Sequence, residues 1–166
     1  MNLPPDFVIF DCDGVLVDSE PLSNVVLRDN LARHGLRVSM EQVEEYFVGG
    51  TLAGVMSKAR QMGAVLPDDW LDCIYGEIFT MLEAEVEPVP GIADVLDALD
   101  AAGLGYAVGS NGPHRKMEIT LTRTGLLPRL AGRVHSRADV AEPTAAPHVC
   151  LQAAAEAGIR PRRCGC

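Results

Sequence analysis

Asp11 and Asp13, separated by Cys12, stand where the apolar run Phe7-Val8-Ile9-Phe10 stops. Residues two apart on an extended segment point the same way, so both carboxylates can face one pocket. Two such carboxylates repel each other unless a shared proton or a positive group compensates. A hard, oxygen-seeking cation such as Mg²⁺ meets that need, and one carboxylate can then serve as nucleophile while the other handles protons. The alternative is a loop whose aspartates cap the next helix or bind water. A second candidate group is Ser110-Asn111-Gly112-Pro113, which follows another apolar run. Its hydroxyl and neighbouring amides can hold phosphoryl oxygens at the start of a helix, or serve only as an N-cap.

The elements that must position these groups are strands of a parallel sheet, because ligands of such sheets sit beyond the carboxyl ends of the strands. Phe7–Phe10, preceded by Pro4 and Pro5, reads as a short strand buried on both faces, and Gly14 permits a tight exit from it. From Glu20 to about Glu87 the apolar spacing is helical, with no strand pattern. Ser39 with Gln42 forms a capping-box pattern, Thr51 is a cap candidate, and Pro67-Asp68-Asp69 opens a helix through Trp70, Ile74, Ile78 and Leu82. The stiff stretch Val86–Gly91 reads as a linker.

Beyond that linker, Ile92, Val95, Leu96 and Leu99 trace a helix ended by Gly103, and Leu104–Gly109 reads as a second buried strand. Helices continue the pattern through Lys116, Ile119, Leu121 and Leu126. A third strand covers Arg133–Ser136, and a final helix runs through Val149, Leu151, Ala154 and Ala155 to Gly158. Strand, helix and strand in this order predict an α/β fold: a doubly wound, Rossmann-like parallel sheet. The core is expected from residues 1–17 and 88–166, with 18–87 inserted as an all-helical cap.

A chain of 166 residues that is 48% hydrophobic can bury a real core, which excludes wholesale disorder. Its net charge of −9 argues against a nucleic-acid surface. Only two lysines occur, Lys58 and Lys116. With no basic-then-apolar leader and no membrane-length apolar run, a soluble cytoplasmic protein without a membrane partner is expected. Cys12, Cys73, Cys150, Cys164 and Cys166 form an odd set that suits a reducing compartment. Cys12 is expected to turn into the core, and Cys164-x-Cys166 lacks partner ligands for a metal site.

The string Asp-x-Asp-Gly-Val-Leu-x-Asp-Ser, here Asp11 to Ser19, directly after an apolar strand resembles the first signature of the haloacid dehalogenase superfamily. The resemblance implies that Asp11 attacks phosphorus to form an aspartyl phosphate, and that Asp13 protonates the leaving oxygen and then activates water. It implies Mg²⁺ held by the Asp11 carboxylate and the Asp13 main-chain carbonyl, and substrate phosphate held by Ser110, Asn111 and Gly14. Ser110 matches the serine or threonine that closes the second strand in that superfamily.

Within its beta-phosphoglucomutase-like group two features depart from the pattern. A lysine usual before the last helix aligns with Thr144, which carries no charge. The fourth strand, with an acidic pair that completes the metal site, has no counterpart before Cys166, so the final core strand reads as truncated. The expected activity is a Mg²⁺-dependent phosphoric monoester hydrolase acting on a small phosphorylated metabolite such as a sugar phosphate, with the cap closing over it. A beta-phosphoglucomutase-like phosphotransferase is the neighbouring reading, for which Arg28, His34, Lys58 and Arg60 are candidate sugar-orienting groups. A catalytically impaired protein that binds phosphometabolites or a partner protein is the third. Haloacid dehalogenation is disfavoured, because that branch lacks the second aspartate.

Overall fold

A computed structural model describes residues 6–139, 153–156, 158 and 164–165. The chain divides into two compact units, one of residues 1–18 with 86–166 and the other of residues 19–85. No helix among the described residues is long and apolar enough to cross a membrane.

The first unit is built on a parallel sheet of β1 (Phe7–Phe10), β2 (Gly105–Ser110), β3 (Val134–Ser136) and β4 (Cys164–Gly165), in the order β3-β2-β1-β4. Phe7 pairs with Gly105 and Phe10 with Val108, while Val108 to Ser110 pair with Val134 to Ser136. A Cβ added at Gly105 would lie 2.8 Å from the Phe7 ring, so a glycine there lets the ring lie over its neighbour strand. The order runs outward from β1 through β2 to β3 and then resumes on the other side of β1. That reversal beside β1 is the switch point at which open α/β sheets form their binding crevice.

One expectation about the strands is corrected. Phe7 and Ile9 are buried together with Ala107, Ala153 and Ala154, but Val8 and Phe10 on the opposite face are only half-buried. One face of β1 is closed by small alanines that let a helix approach. On the other face Phe10 meets Tyr106 edge-on, with ring centroids 6.3 Å apart. As expected of a truncated final strand, the described residues hold only a short fourth strand, in which Cys164 and Gly165 pair in parallel with Phe7 and Val8. A two-residue ladder thus lies on the outer edge of β1, and Cys164 belongs to a strand rather than to a loose end.

The stretch read as a linker is also tied down. Val17 bridges to Pro88, the Asp18 N–H donates to the Glu87 carbonyl at 2.9 Å, and the Val89 N–H donates to Leu16 at 3.0 Å. Leu16, Val17 and Val86 are fully buried there. After it come α5 (Ile92–Ala101), α6 (His114–Arg123) and α7 (Leu127–Leu130), counted after the four helices of the other unit. α6 buries Met117, Thr120 and Leu121, a one-sided stripe at three- and four-residue spacing.

The second unit is all-helical: α1 (Glu20–Arg33), α2 (Met40–Phe47), α3 (Leu52–Gln61) and α4 (Trp70–Glu85). The Ser39 hydroxyl accepts from the Gln42 N–H while the Gln42 side chain accepts from the Ser39 N–H, and Thr51 caps α3 through the Gly54 N–H. Trp70, Ile74, Ile78 and Leu82 form the buried stripe of α4. Buried Asn30 accepts from the Trp70 indole at 2.7 Å and donates to Glu77 at 3.0 Å, a polar tie inside an apolar helix pair. The apolar pattern gives no hint of it.

Candidate functional site

Asp11 and Asp13 leave the carboxyl end of β1 on either side of Cys12, which is 1% exposed and lies 3.9 Å from the hydroxyl of buried Thr120 on α6. That inward cysteine anchors the acidic loop to the helix behind it and leaves Asp11 exposed and Asp13 half-buried. The loop then closes on itself. Gly14, at φ 72°, donates its N–H to the Val17 carbonyl at 2.8 Å, and Leu16 and Val17 both donate to the Cys12 carbonyl. The Gly14 donor is therefore engaged in the turn.

Ser110 ends β2 with its side chain buried. Its hydroxyl accepts the Gly112 N–H at 3.1 Å and is near enough to Asp11 to favour that carboxylate, so the ends of β1 and β2 meet at one serine. Asn111 is exposed on the turn between Ser110 and α6. A Cβ placed on Gly112 would lie 3.4 Å from Ser110 Oγ and 3.5 Å from Asp13 Oδ2, so Gly112 leaves open a small space bounded by the two sequence-selected groups. Ser136, at the end of β3, donates to the Gly112 carbonyl at 2.7 Å. Asp139 in turn accepts the Ser136 N–H and sits 2.7 Å from His114 Nε2 at the start of α6. Strand ends, turn and helix are linked behind the opening.

Sequence reasoning passed over Lys116 as a site residue. Its ammonium lies 2.8 Å from Asp13 Oδ1, with both side chains largely buried. The available signal was its rarity, one of two lysines, and its place two residues into the helix that follows the Ser110 turn. Thr144, aligned with the lysine that was sought, lies outside the described residues, as do Ala145, Ala146 and Pro147.

The carboxyl of Asp11 is raised above its ordinary value. Although the residue as a whole is exposed, its carboxyl is partly shielded from water, which is the main cause, and the negative charge of Asp13 adds to it. The Cys12 N–H, 2.7 Å from Oδ1, the Ser110 hydroxyl and the Lys116 ammonium oppose the rise. Burial, and then the charge of Asp13, push the Cys12 thiol up to about 12, so it stays neutral and takes no part as a nucleophile. Asp139 is pushed up by burial, but the Ser136 N–H and His114 outweigh that and hold it below the ordinary carboxylate range.

Among the described residues no three or more His, Cys, Asp or Glu side chains cluster as a metal site. Mg²⁺ commonly keeps several waters and takes only one or two carboxylates plus substrate phosphate. The exposed Asp11 carboxylate and the main-chain oxygen of Asp13 are donors of that kind, so the residues present fit the ion.

The four cap candidates are engaged within their own unit. Arg28 pairs with Asp29 at 2.7 Å, the His34 ring bonds the Asn30 carbonyl, and Lys58 lies over the Tyr46 ring. Arg60 donates to the carbonyls of Leu66 and Pro67 and to Asp68, tying down the turn before α4.

Comparison with known proteins decides the family. The model of haloacid dehalogenase-like hydrolases matches residues 5–165. The chain belongs to this family. Among haloacid dehalogenase-like relatives, 6-phosphogluconate phosphatase of Escherichia coli is 26% identical over 159 residues, covering 95% of this chain and 71% of that protein. N-acetylmuramic acid 6-phosphate phosphatase of Pseudomonas aeruginosa is 30% identical over 162 residues, covering 94% and 70%. The fold matches a haloacid dehalogenase-like protein of unknown function from Agrobacterium tumefaciens with a TM-score of 0.84 at 30% identity, over 96% of this chain and 72% of that one. A family hydrolase from Deinococcus radiodurans, determined with bound phosphate and sodium, matches with a TM-score of 0.79 at 33% identity, over 97% and 71%.

Proposed function

We propose that this protein is a Mg²⁺-dependent phosphatase acting on a small phosphorylated metabolite, a sugar phosphate being the favoured class. The observation that carries the reading is the convergence of Asp11, Asp13 and the Ser110 hydroxyl beyond the carboxyl ends of two adjacent parallel strands, at the switch point of the sheet. The phosphatase names of the relatives and the phosphate bound in the Deinococcus radiodurans hydrolase support the substrate class.

In this reading an Asp11 oxygen attacks phosphorus and the ester P–O bond breaks, the departing oxygen taking a proton from the Asp13 carboxyl. Water then attacks the aspartyl phosphate, Asp13 takes its proton, and Asp11 is released with orthophosphate. Ser110 and the Asn111–Gly112 turn bind the phosphoryl oxygens at the start of α6. Gly14 serves by turning the loop. Bound between Asp11 and the Asp13 carbonyl, Mg²⁺ would supply charge neutralisation for the phosphoryl group.

The test is turnover of p-nitrophenyl phosphate with Mg²⁺ by the native chain and by Asp11→Asn. A loss of several powers of ten in Asp11→Asn is expected, as is usual for a nucleophile. Equal turnover by both proteins refutes the assignment. Asp13→Asn is expected to bind orthophosphate while releasing it slowly from the aspartyl phosphate. Adding a sugar phosphate as acceptor separates hydrolysis, which yields orthophosphate, from phosphotransfer, which yields a bisphosphate.

A further inference from the structure

The acidic loop and the phosphoryl group it is built to receive are all negative, and the position aligned with the usual lysine holds uncharged Thr144. Without a compensating cation, a phosphate dianion would approach two carboxylates at a heavy electrostatic cost. Lys116 is the cation placed to remove that cost. It issues from the first turn of α6 rather than from the loop before the last helix, and its Nζ lies 2.8 Å from Asp13 Oδ1.

We propose that Lys116 is the phosphoryl-binding cation of this protein, held in place by Asp13 until the anion arrives and then bridging Asp13 and a phosphoryl oxygen. The inference rests on the phosphatase reading and adds to it a residue that takes over the charge Thr144 does not supply.

Three features of the geometry carry it. First, an ammonium has three N–H donors and no acceptor, so it can keep Asp13 and hold a phosphate oxygen at the same time. Second, its backbone is fixed. Thr120 Oγ1 donates to the Lys116 carbonyl at 3.0 Å and lies against Cys12 Sγ, and the adjacent Met117 is 1% exposed. The helix therefore cannot slide relative to the loop that carries both aspartates. Third, the site of an incoming anion is within reach. A Cβ on Gly112 would touch Ser110 Oγ, Asp13 Oδ2 and, at 3.8 Å, Lys116 Cδ, so the lysine stem forms one wall of the opening next to the Ser110 hydroxyl.

The experiment titrates inorganic phosphate, in the presence of Mg²⁺, into the native chain, Lys116→Met and Lys116→Arg, and follows thermal unfolding of each. A lost charge-assisted hydrogen bond to phosphate corresponds to about 10- to 100-fold in affinity, so Lys116→Met is expected to bind phosphate that much more weakly. Lys116→Arg, which keeps the charge, is expected to recover most of the affinity. The KM for p-nitrophenyl phosphate should rise in parallel in Lys116→Met. Phosphate binding by Lys116→Met equal to that of the native chain overturns the proposal. A shared loss in Met and Arg variants that follows their unfolding also overturns it, since that marks a merely structural ion pair. A native chain that binds phosphate in this lysine-dependent way but hydrolyses no ester would sink the hydrolase reading and leave Lys116 as an anion-binding group. A native chain that hydrolyses the ester with Lys116→Met unimpaired in both assays would do the reverse.

Discussion

Gly112→Ala separates the fold from the chemistry. Gly112 is outside the left-handed region of backbone space, so an alanine is not strained there. Its new methyl would meet Ser110 Oγ at 3.4 Å, Asp13 Oδ2 at 3.5 Å and Lys116 Cδ at 3.8 Å, ordinary van der Waals distances that demand no rearrangement. Reduced freedom of the unfolded chain then contributes about 0.4–1 kcal/mol in favour of the variant, so stability should be unchanged or slightly higher. Catalysis should not survive so well, because the methyl stands in the opening between the serine hydroxyl and the acid. A phosphoryl group displaced by about 1 Å from its productive position loses on the order of a hundredfold in rate. Urea unfolding and p-nitrophenyl phosphate turnover on the same preparation measure both sides. Turnover within twofold of the native chain would show that phosphate does not occupy this opening, and a stability loss above about 2 kcal/mol would show that the contacts are wrong.

Other consequences can be checked independently. Because the Asp11 carboxyl is raised in the folded state, the native protein holds its proton more tightly than the unfolded chain does. Ionised Asp11 therefore costs stability at neutral pH. Asp11→Asn, compared in EDTA, should be more stable than the native chain at pH 7, and the gain should shrink as pH falls through the raised folded value of Asp11 and be gone below the ordinary value of 3.8; a gain constant across pH would contradict the raised carboxyl. Asn30→Leu removes the acceptor of the fully buried Trp70 indole and should cost about 1–3 kcal/mol by urea unfolding, with much of the loss relieved in Asn30→Leu/Trp70→Phe. Additive losses in the double variant would rule out that bond as the cause. Thiol labelling of the native protein should modify exposed Cys73 and spare Cys12, and rapid labelling of Cys12 without unfolding would mean that the acidic loop opens.

The local sequence was enough for those features that depend on near neighbours. Alternation and apolar runs placed β1, β2 and β3 to within a residue or two, and the side-chain chemistry of Ser39, Gln42 and Thr51 marked helix starts because a cap is satisfied within three residues. Asp11, Cys12 and Asp13 could be sorted into outward and inward groups by the two-residue period of a strand alone. Features made by distant partners were not legible. Nothing local in Phe7–Phe10 indicates that one face is closed by Ala153 and Ala154 and the other only half covered, since that depends on which helix packs where. Cys164 and Gly165 carry no strand pattern of their own, and only the free edge of β1 recruits them. The pairing of Val17 with Pro88 depends on two segments some seventy residues apart in sequence meeting at one edge. Lys116 is the clearest case. Its charge was visible in the sequence, but a helix presents a residue to one side only, and which side faced Asp13 was decided by the burial of Met117, Thr120 and Leu121 behind it.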